Sequence, residues 1–219
     1  MVNWKEKFLF IGLFFIAYYI FYVYPNFYPL FPPRQMVTLK IDQSLPFLPW
    51  TFVIYVSCYF LIAIVIILLK TPLEIYSFTR RAFGVLIACG LFFLLYPTVY
   101  PRPEYSIVEN GYLKLILHFI ATVDKPGNCF PSLHVAMTAV SVWSMHSVNS
   151  FLFKIFIFWG AAICLSTLTT KQHYFVDILG GILIAGLVGF LEWKWFKQKA
   201  RLKLALEKMN MQPQVHSIH

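Results

Sequence analysis

Six long apolar runs, set apart by prolines and clustered charges, constrain this chain more than any other feature. A helix that crosses hydrocarbon needs about 20 apolar residues, within a range of about 17 to 25. Runs near that length cover residues 8–24, 50–69, 82–96, 133–148, 151–168 and 175–195. Hydrocarbon offers no partner to a backbone amide, so each run must close its hydrogen bonds within itself as a helix. The expectation is an all-α polytopic membrane protein, a six-helix transmembrane bundle folded as a single domain over residues 1–219. Only 12% of the 219 residues are charged and 59% are hydrophobic, which excludes an ordinary soluble domain with about 25% charge. The first run is too long for a removable signal peptide and lacks a small-residue cleavage site.

The connections are also marked. Prolines 25, 29, 32, 33, 46 and 49 make residues 26–49 an irregular segment able to lie along the surface as a lid, because proline cannot continue a hydrogen-bonded run. Lys70, Arg80 and Arg81 delimit a short basic loop, and Pro97, Pro101 and Pro103 close the third span. Residues 112–122, ahead of the fourth span, read as an amphipathic or re-entrant segment. Cys58, Cys89 and Cys164 lie in apolar runs as packing residues. Cys129 is assigned no chemistry, and the four show neither metal-ligand nor disulfide-framework spacing.

Lysine and arginine alone set orientation. With the N-terminus, the loops after the second and fourth spans and the tail on one side, that side collects twelve of the eighteen cations. Both termini are therefore expected in the cytoplasm, with residues 197–219 a basic cytoplasmic tail. The net charge of +9 is then a positive-inside signal plus attraction to anionic membrane lipid, and no nucleic acid partner is implied. The chain has no Asn-x-Ser/Thr sequon, and the expected home is a bacterial plasma membrane.

This arrangement puts two polar stretches at the extracytoplasmic face. His173 and Asp177 stand four apart, so on a helix the carboxylate can accept a hydrogen bond from one imidazole nitrogen. The other nitrogen then carries a lone pair, the orienting logic of a catalytic triad with histidine as nucleophile. Pro131 and Ser132 open an apolar run, and the free amides of Ser132, Leu133 and His134 would cradle phosphate oxygens at a positive helix end. His134 beside them could protonate a leaving oxygen as general acid. A transferring phosphoryl group also needs cations. Arg102 offers a bidentate fork and Lys171 a point charge. The constellation reads as a phosphoryl-transfer site at a membrane surface. With no cluster of carboxylates for a hard divalent cation, neither metal nor other cofactor is expected.

Pro-Ser-x-His followed, after two spans, by a serine and then His-x-x-x-Asp resembles the type-2 phosphatidate phosphatase superfamily of membrane lipid phosphatases and phosphotransferases. The resemblance covers about residues 96–181. It implies His173 as nucleophile, Asp177 as its orienting partner and His134 as the acid. Arg102-Pro103 matches the family's first motif, and Ser166 the serine that opens its third. Leu95 stands where a lysine is usual, Leu133 where a glycine is, and Thr167 where an arginine is. Lys171 and Lys125 are the candidate substitutes for the missing cations. Phe130 to His134 and Gln172 to Asp177 look closest to the branch of inositol phosphorylceramide synthases.

The implied activity is metal-independent transfer from a lipid phosphate, as phosphatase or phosphotransferase, through a phosphohistidine. The alternatives are a headgroup transferase of the inositol phosphorylceramide or sphingomyelin synthase type and, in another class, a non-catalytic lipid-phosphate carrier. The sequence leaves the donor, the acceptor and the oligomeric state open.

Overall fold

The structure, a computed structural model, describes residues 4–210. Helix α1 (Trp4–Tyr18) passes through a π turn (Tyr19–Val23) into the short α2 (Tyr24–Phe27), together one apolar span of 24 residues. A strap follows: β1 (Arg34–Gln35), α3 (Lys40–Ser44) and a 3-10 turn (Pro49–Thr51) that leads into α4 (Phe52–Leu68). Then come α5 (Pro72–Leu95), β2 (Thr98–Val99), a 3-10 turn (Tyr105–Ile107) and α6 (Gly111–Val123). The chain closes with α7 (Leu133–Met145), α8 (Ser150–Thr169) and α9 (Phe175–Asn210). The two short strands pair in parallel, Arg34 with Thr98 and Gln35 with Val99, so the strap is tied to the segment after α5. The all-α polytopic architecture is as expected, but three of the expected boundaries are not.

The third span starts at Pro72, ten residues before the expected 82. Thr71 caps it: its hydroxyl accepts from the Glu74 amide, and the Glu74 carboxylate accepts from the Thr71 amide in return. With Pro72 in the first turn, this is a complete helix-start signal. Arg80 and Arg81 therefore stand inside a helix, not in a loop. Both reach Glu192 on α9, and the Ser77 hydroxyl joins them at 2.6 Å. Charge turned toward a neighbouring helix need not end a span.

The expected fourth span is α7, and it is too short to cross a bilayer. Its thirteen residues rise about 20 Å, and ten of them are buried against α4, α5, α8 and α9. Among the described residues there are thus five long apolar helices, four of them packed around one short internal helix, where six comparable spans were expected. The sixth expected span does not stop at 195. Helix α9 continues through Asn210, taking in most of the expected tail, and residues 211–219 lie outside the described residues.

Residues 112–122 form most of α6, with Leu113, Leu117 and Ile120 turned toward Phe52, Tyr55 and Tyr105. Those three positions make one stripe of a helix, while Tyr112, Leu115 and Phe119 face outward. The ends of α2, α5 and α8 meet the starts of α4, α7 and α9 at one end of the bundle. Among the ties there are the Thr51 hydroxyl with the Thr169 hydroxyl at 2.8 Å and the Asn26 amide donating to the Lys125 carbonyl at 3.1 Å. The polar cluster described next lies at that end.

Candidate active site

His173 is fixed by backbone before its ring is considered. The Thr167 carbonyl, near the C-terminus of α8, accepts from the amides of Gln172 at 3.0 Å and His173 at 3.2 Å. The chain turns there at Lys171, whose φ of 55° lies in the left-handed region. Asp177, in the first turn of α9, is wholly buried. Its Oδ2 accepts from the Tyr174 amide at 2.8 Å and lies 3.3 Å from His173 Nδ1. The Cys129 carbonyl lies 3.1 Å from the same nitrogen. A carbonyl and a carboxylate can only accept, so the proton belongs on Nδ1 and the lone pair on Nε2.

The two polar stretches of the sequence meet through this helix start. The Ser132 amide donates to the Asp177 carbonyl at 3.0 Å. Gly181 makes that approach feasible, since a Cβ on it would stand 2.6 Å from the Ser132 carbonyl oxygen. Ser132 caps α7, its Oγ accepting from the Val135 amide at 3.3 Å, and Pro131 stands just outside the helix instead of in its first turn. Of the three amides expected to be free, Ser132 is therefore engaged. Those of Leu133 and His134, the first two in the helix, have no intrahelical carbonyl to bond.

His134 faces the same small space, and its ring centroid lies 6.0 Å from that of His173. Two tyrosines of α4 hold it. The Tyr55 hydroxyl is 3.3 Å from Nδ1, and the Tyr59 hydroxyl is 3.4 Å from Nε2. A hydroxyl can give or take a proton, so this imidazole, unlike His173, has no tautomer imposed on it.

Arg102 lies across the loop from the histidines. One guanidinium nitrogen donates to the Asp124 carbonyl; the other donates to Asp124 Oδ2 at 3.4 Å and to the Lys125 carbonyl at 3.3 Å. Its Nε is buried with no acceptor among the described residues, a donor left over for a ligand oxygen. Burial works to lower the Arg102 pKa, but the Asp124 carboxylate together with Tyr55, Tyr105 and Tyr22 outweighs it, and the guanidinium is held above its ordinary value. Asp124 itself is pushed up by burial, against the pull of Arg102, a 3.0 Å hydrogen bond from the Tyr22 hydroxyl and the nearby His173.

Three expected phosphate contacts lie elsewhere. Lys171 Nζ donates to the carbonyls of Asp42 at 2.7 Å and Leu45 at 2.6 Å, so its charge clamps the strap. Burial lowers its pKa, with Asp42 opposing. Lys125 is exposed, and its ammonium sits 4.7 Å from the centre of the Phe27 ring. Ser166 is buried and its hydroxyl donates to the Ile163 carbonyl at 2.6 Å, inside its own helix. Neither lysine replaces the missing family cations in this arrangement, which leaves Arg102 as the cation beside the histidines among the described residues.

Cys129 Sγ, His173 and Asp177 each bring one possible ligand atom within 4.8 Å of the others, the one metal-like cluster among the described residues. Its donors are poorly prepared for an ion. Burial and the Asp177 charge hold the Cys129 thiol well above its usual pKa, and Nδ1 carries a proton.

Several partners escaped sequence reading: Tyr55, Tyr59, Asp124, Tyr22 and Asp42. Asp42 Oδ1 accepts from the Phe175 amide at 2.7 Å, so the strap supplies a carboxylate to the N-terminus of α9. The aspartates had a signal, since an acid in an otherwise apolar membrane chain needs a buried partner. The tyrosines had none, because aromatic residues fill every span here.

Compared with known proteins, residues 98–201 match the family model of the PAP2 superfamily, a stretch that includes Arg102, both histidines and Asp177. No curated protein matches the chain.

Proposed function

The chain carries a domain of the type-2 phosphatidate phosphatase superfamily over residues 98–201, and we propose that it transfers the phosphoryl group of a membrane lipid phosphate through a phosphohistidine on His173. The observation that carries this reading is the pair of acceptors around Nδ1, which leaves Nε2 as the lone-pair nitrogen. In the first half, Nε2 bonds to phosphorus and the bond from phosphorus to the leaving oxygen breaks. His134 gives that oxygen its proton, while the Leu133 and His134 amides and Arg102 Nε hold the nonbridging oxygens. Asp177 stabilises the cationic ring that forms. In the second half, His134 takes a proton from the acceptor hydroxyl, whose oxygen bonds to phosphorus as the nitrogen leaves. Water as acceptor gives a phosphatase; an alcohol gives a phosphotransferase.

No step needs a metal ion, so activity should survive a chelator. The arrangement of lysines and arginines favours cytoplasmic termini and a site on the opposite face. The test is to incubate purified protein with a radiolabelled lipid phosphate, quench, and look for acid-labile label on histidine. Label on the wild type and none on His173→Ala supports the reading; stable binding with no label on either would favour the carrier. Offering phosphatidate, phosphatidylglycerophosphate, polyprenyl pyrophosphate and sphingolipid donors, and scoring free phosphate against new phospholipid, distinguishes water from an alcohol as acceptor.

A further inference from the structure

His134 has a proton to move, yet each of its ring nitrogens already meets a phenol. Nδ1 is 3.3 Å from the Tyr55 hydroxyl and Nε2 is 3.4 Å from the Tyr59 hydroxyl. A proton that leaves the ring along either contact passes first to a tyrosine oxygen. The two tyrosines stand one turn apart on α4 and differ in what they have left to give. The Tyr59 hydroxyl is shared between His134 and the Tyr18 hydroxyl, and its side chain lines an apolar cavity with Phe14 and Tyr18 of α1. The Tyr55 hydroxyl has His134 as its one hydrogen-bond partner among the described residues. When it accepts from Nδ1, its own proton is therefore available to a ligand.

Tyr55 is also the tyrosine on the phosphate side. It is buried with Phe52, Tyr105 and Leu117, and it lies close enough to Arg102 for the two to interact electrostatically. Its ring packs on the imidazole, with centres 4.5 Å apart, so the hydroxyl is held where it is. A hydroxyl that touches the acid and lies near the cation for the phosphate is placed to meet the leaving oxygen. We propose that Tyr55 is a further catalytic residue, its hydroxyl carrying the proton between His134 and the reacting oxygen. This rests on the phosphoryl-transfer reading of the site and names the atom that meets the leaving group. In the first half, the bond from phosphorus to the leaving oxygen breaks and that oxygen takes the Tyr55 proton. The phenol oxygen takes the Nδ1 proton of the His134 imidazolium in the same step, so Tyr55 stays neutral and His134 becomes a neutral imidazole with its remaining proton on Nε2, facing Tyr59. In the second half, the acceptor hydroxyl gives its proton to the Tyr55 oxygen as its own oxygen bonds to phosphorus. The proton already on Tyr55 returns to Nδ1, and the imidazolium is restored.

The experiment compares two substrates that carry the same chain. Dodecyl phosphate loses an alkoxide that must be protonated as it leaves; a dodecyl-substituted nitrophenyl phosphate loses a phenolate that needs no proton. Tyr55→Phe should lower kcat/KM for the first by about 10², the scale of one positioned proton donor, and for the second far less. His134→Ala should show the same split, and the double variant should lose little beyond either single one, because the two act as a unit. Equal loss on both substrates, or little loss on either, overturns the relay. A tyrosine that only orients His134 would also produce a split, so the number of protons in flight decides between them. The rate of labelling of wild-type His173 by dodecyl phosphate is measured in mixtures of H2O and D2O. Two protons moving together bend the plot of rate against deuterium fraction; a straight line overturns the relay. That measurement needs no variant and stands should Tyr55→Phe fail to fold. Absence of turnover of both substrates by the wild type overturns the phosphoryl-transfer reading itself.

Discussion

The two ends of the bundle both bury charge, and they treat it differently. At the end away from the histidines, Glu192 has both oxygens taken, Oε1 by Ser77 and Arg80 and Oε2 by Arg81. Lys7 gives its ammonium protons to the carbonyls of Ile66, Ile67 and Leu69, closing the last turn of α4. At the histidine end, the pairs leave atoms over: Arg102 Nε, Asp177 Oδ1, Gln172 Oε1 and Asn128 Oδ1 are buried and have no partner among the described residues. Charge that is used up serves packing, because a buried ion costs several kcal/mol unless its neighbours compensate. Charge with capacity to spare at a pocket is where a ligand completes the network. The contrast is one of degree, since Arg80 Nε and Thr79 Oγ1 are also unpartnered.

Substitutions at the two ends should separate activity from stability. The largest effect is expected at His173: replacement by alanine should lower kcat by about 10⁴ or more, with a helical spectrum and Tm near wild type. A variant that kept a tenth of its activity would remove the nucleophile assignment. Next, Arg102→Lys keeps the charge but loses the fork, and should cost about 10² in kcat/KM, the scale of one positioned donor. Measuring lipid phosphate hydrolysis against both wild type and Arg102→Ala tests whether shape or charge matters there.

Glu192→Gln should act in the opposite sense, lowering stability by about 1–3 kcal/mol by stranding two guanidinium groups. Its specific activity per folded molecule should not change. A catalytic loss without a shift in unfolding midpoint would break the division between the ends. The smallest effect is a slope. Burial raises the Asp124 pKa above its unfolded value, so between the two values the native state holds more protons than the unfolded one. Its contribution to stability is therefore present below the unfolded pKa and is lost as pH rises through the folded one. Relative to Asp124→Asn, the wild-type Tm should fall as pH rises past the ordinary carboxylate range, and an identical pH profile for the two would count against it.

Much of this was legible in the residues, and the reasons for the rest are physical. Apolar length and proline placement locate the helices, because backbone satisfaction in lipid leaves no alternative. The spacing of His173 and Asp177 specifies their contact, because i and i+4 share a helix face. Arg80 and Arg81 misled the reading of the third span, since charge looks like a boundary until Glu192, more than a hundred residues away, is seen opposite it. The capping signature Thr71-Pro72-Leu73-Glu74 marked the true start. Lys171 misled it in another way: proximity in sequence to a histidine does not set a side chain's direction, and a left-handed turn at Lys171 sends its ammonium to the strap. The tyrosine pair on His134 depends on how α4 packs against α7, which no local pattern encodes.

Helix α7, enclosed by its neighbours and spanning about 20 Å, has one more consequence. Membranes differ in thickness by several ångströms, and helices in contact with lipid adapt by tilting or bending. The element that holds His134 and Ser132 has little lipid contact, so it need not follow them. The outer helices can rock like staves while this inner post keeps its height, and because the Ser132 amide bonds the Asp177 carbonyl and so ties the start of α9 to the start of α7, the geometry of the imidazole pair should be the same in a thin bilayer as in a thick one.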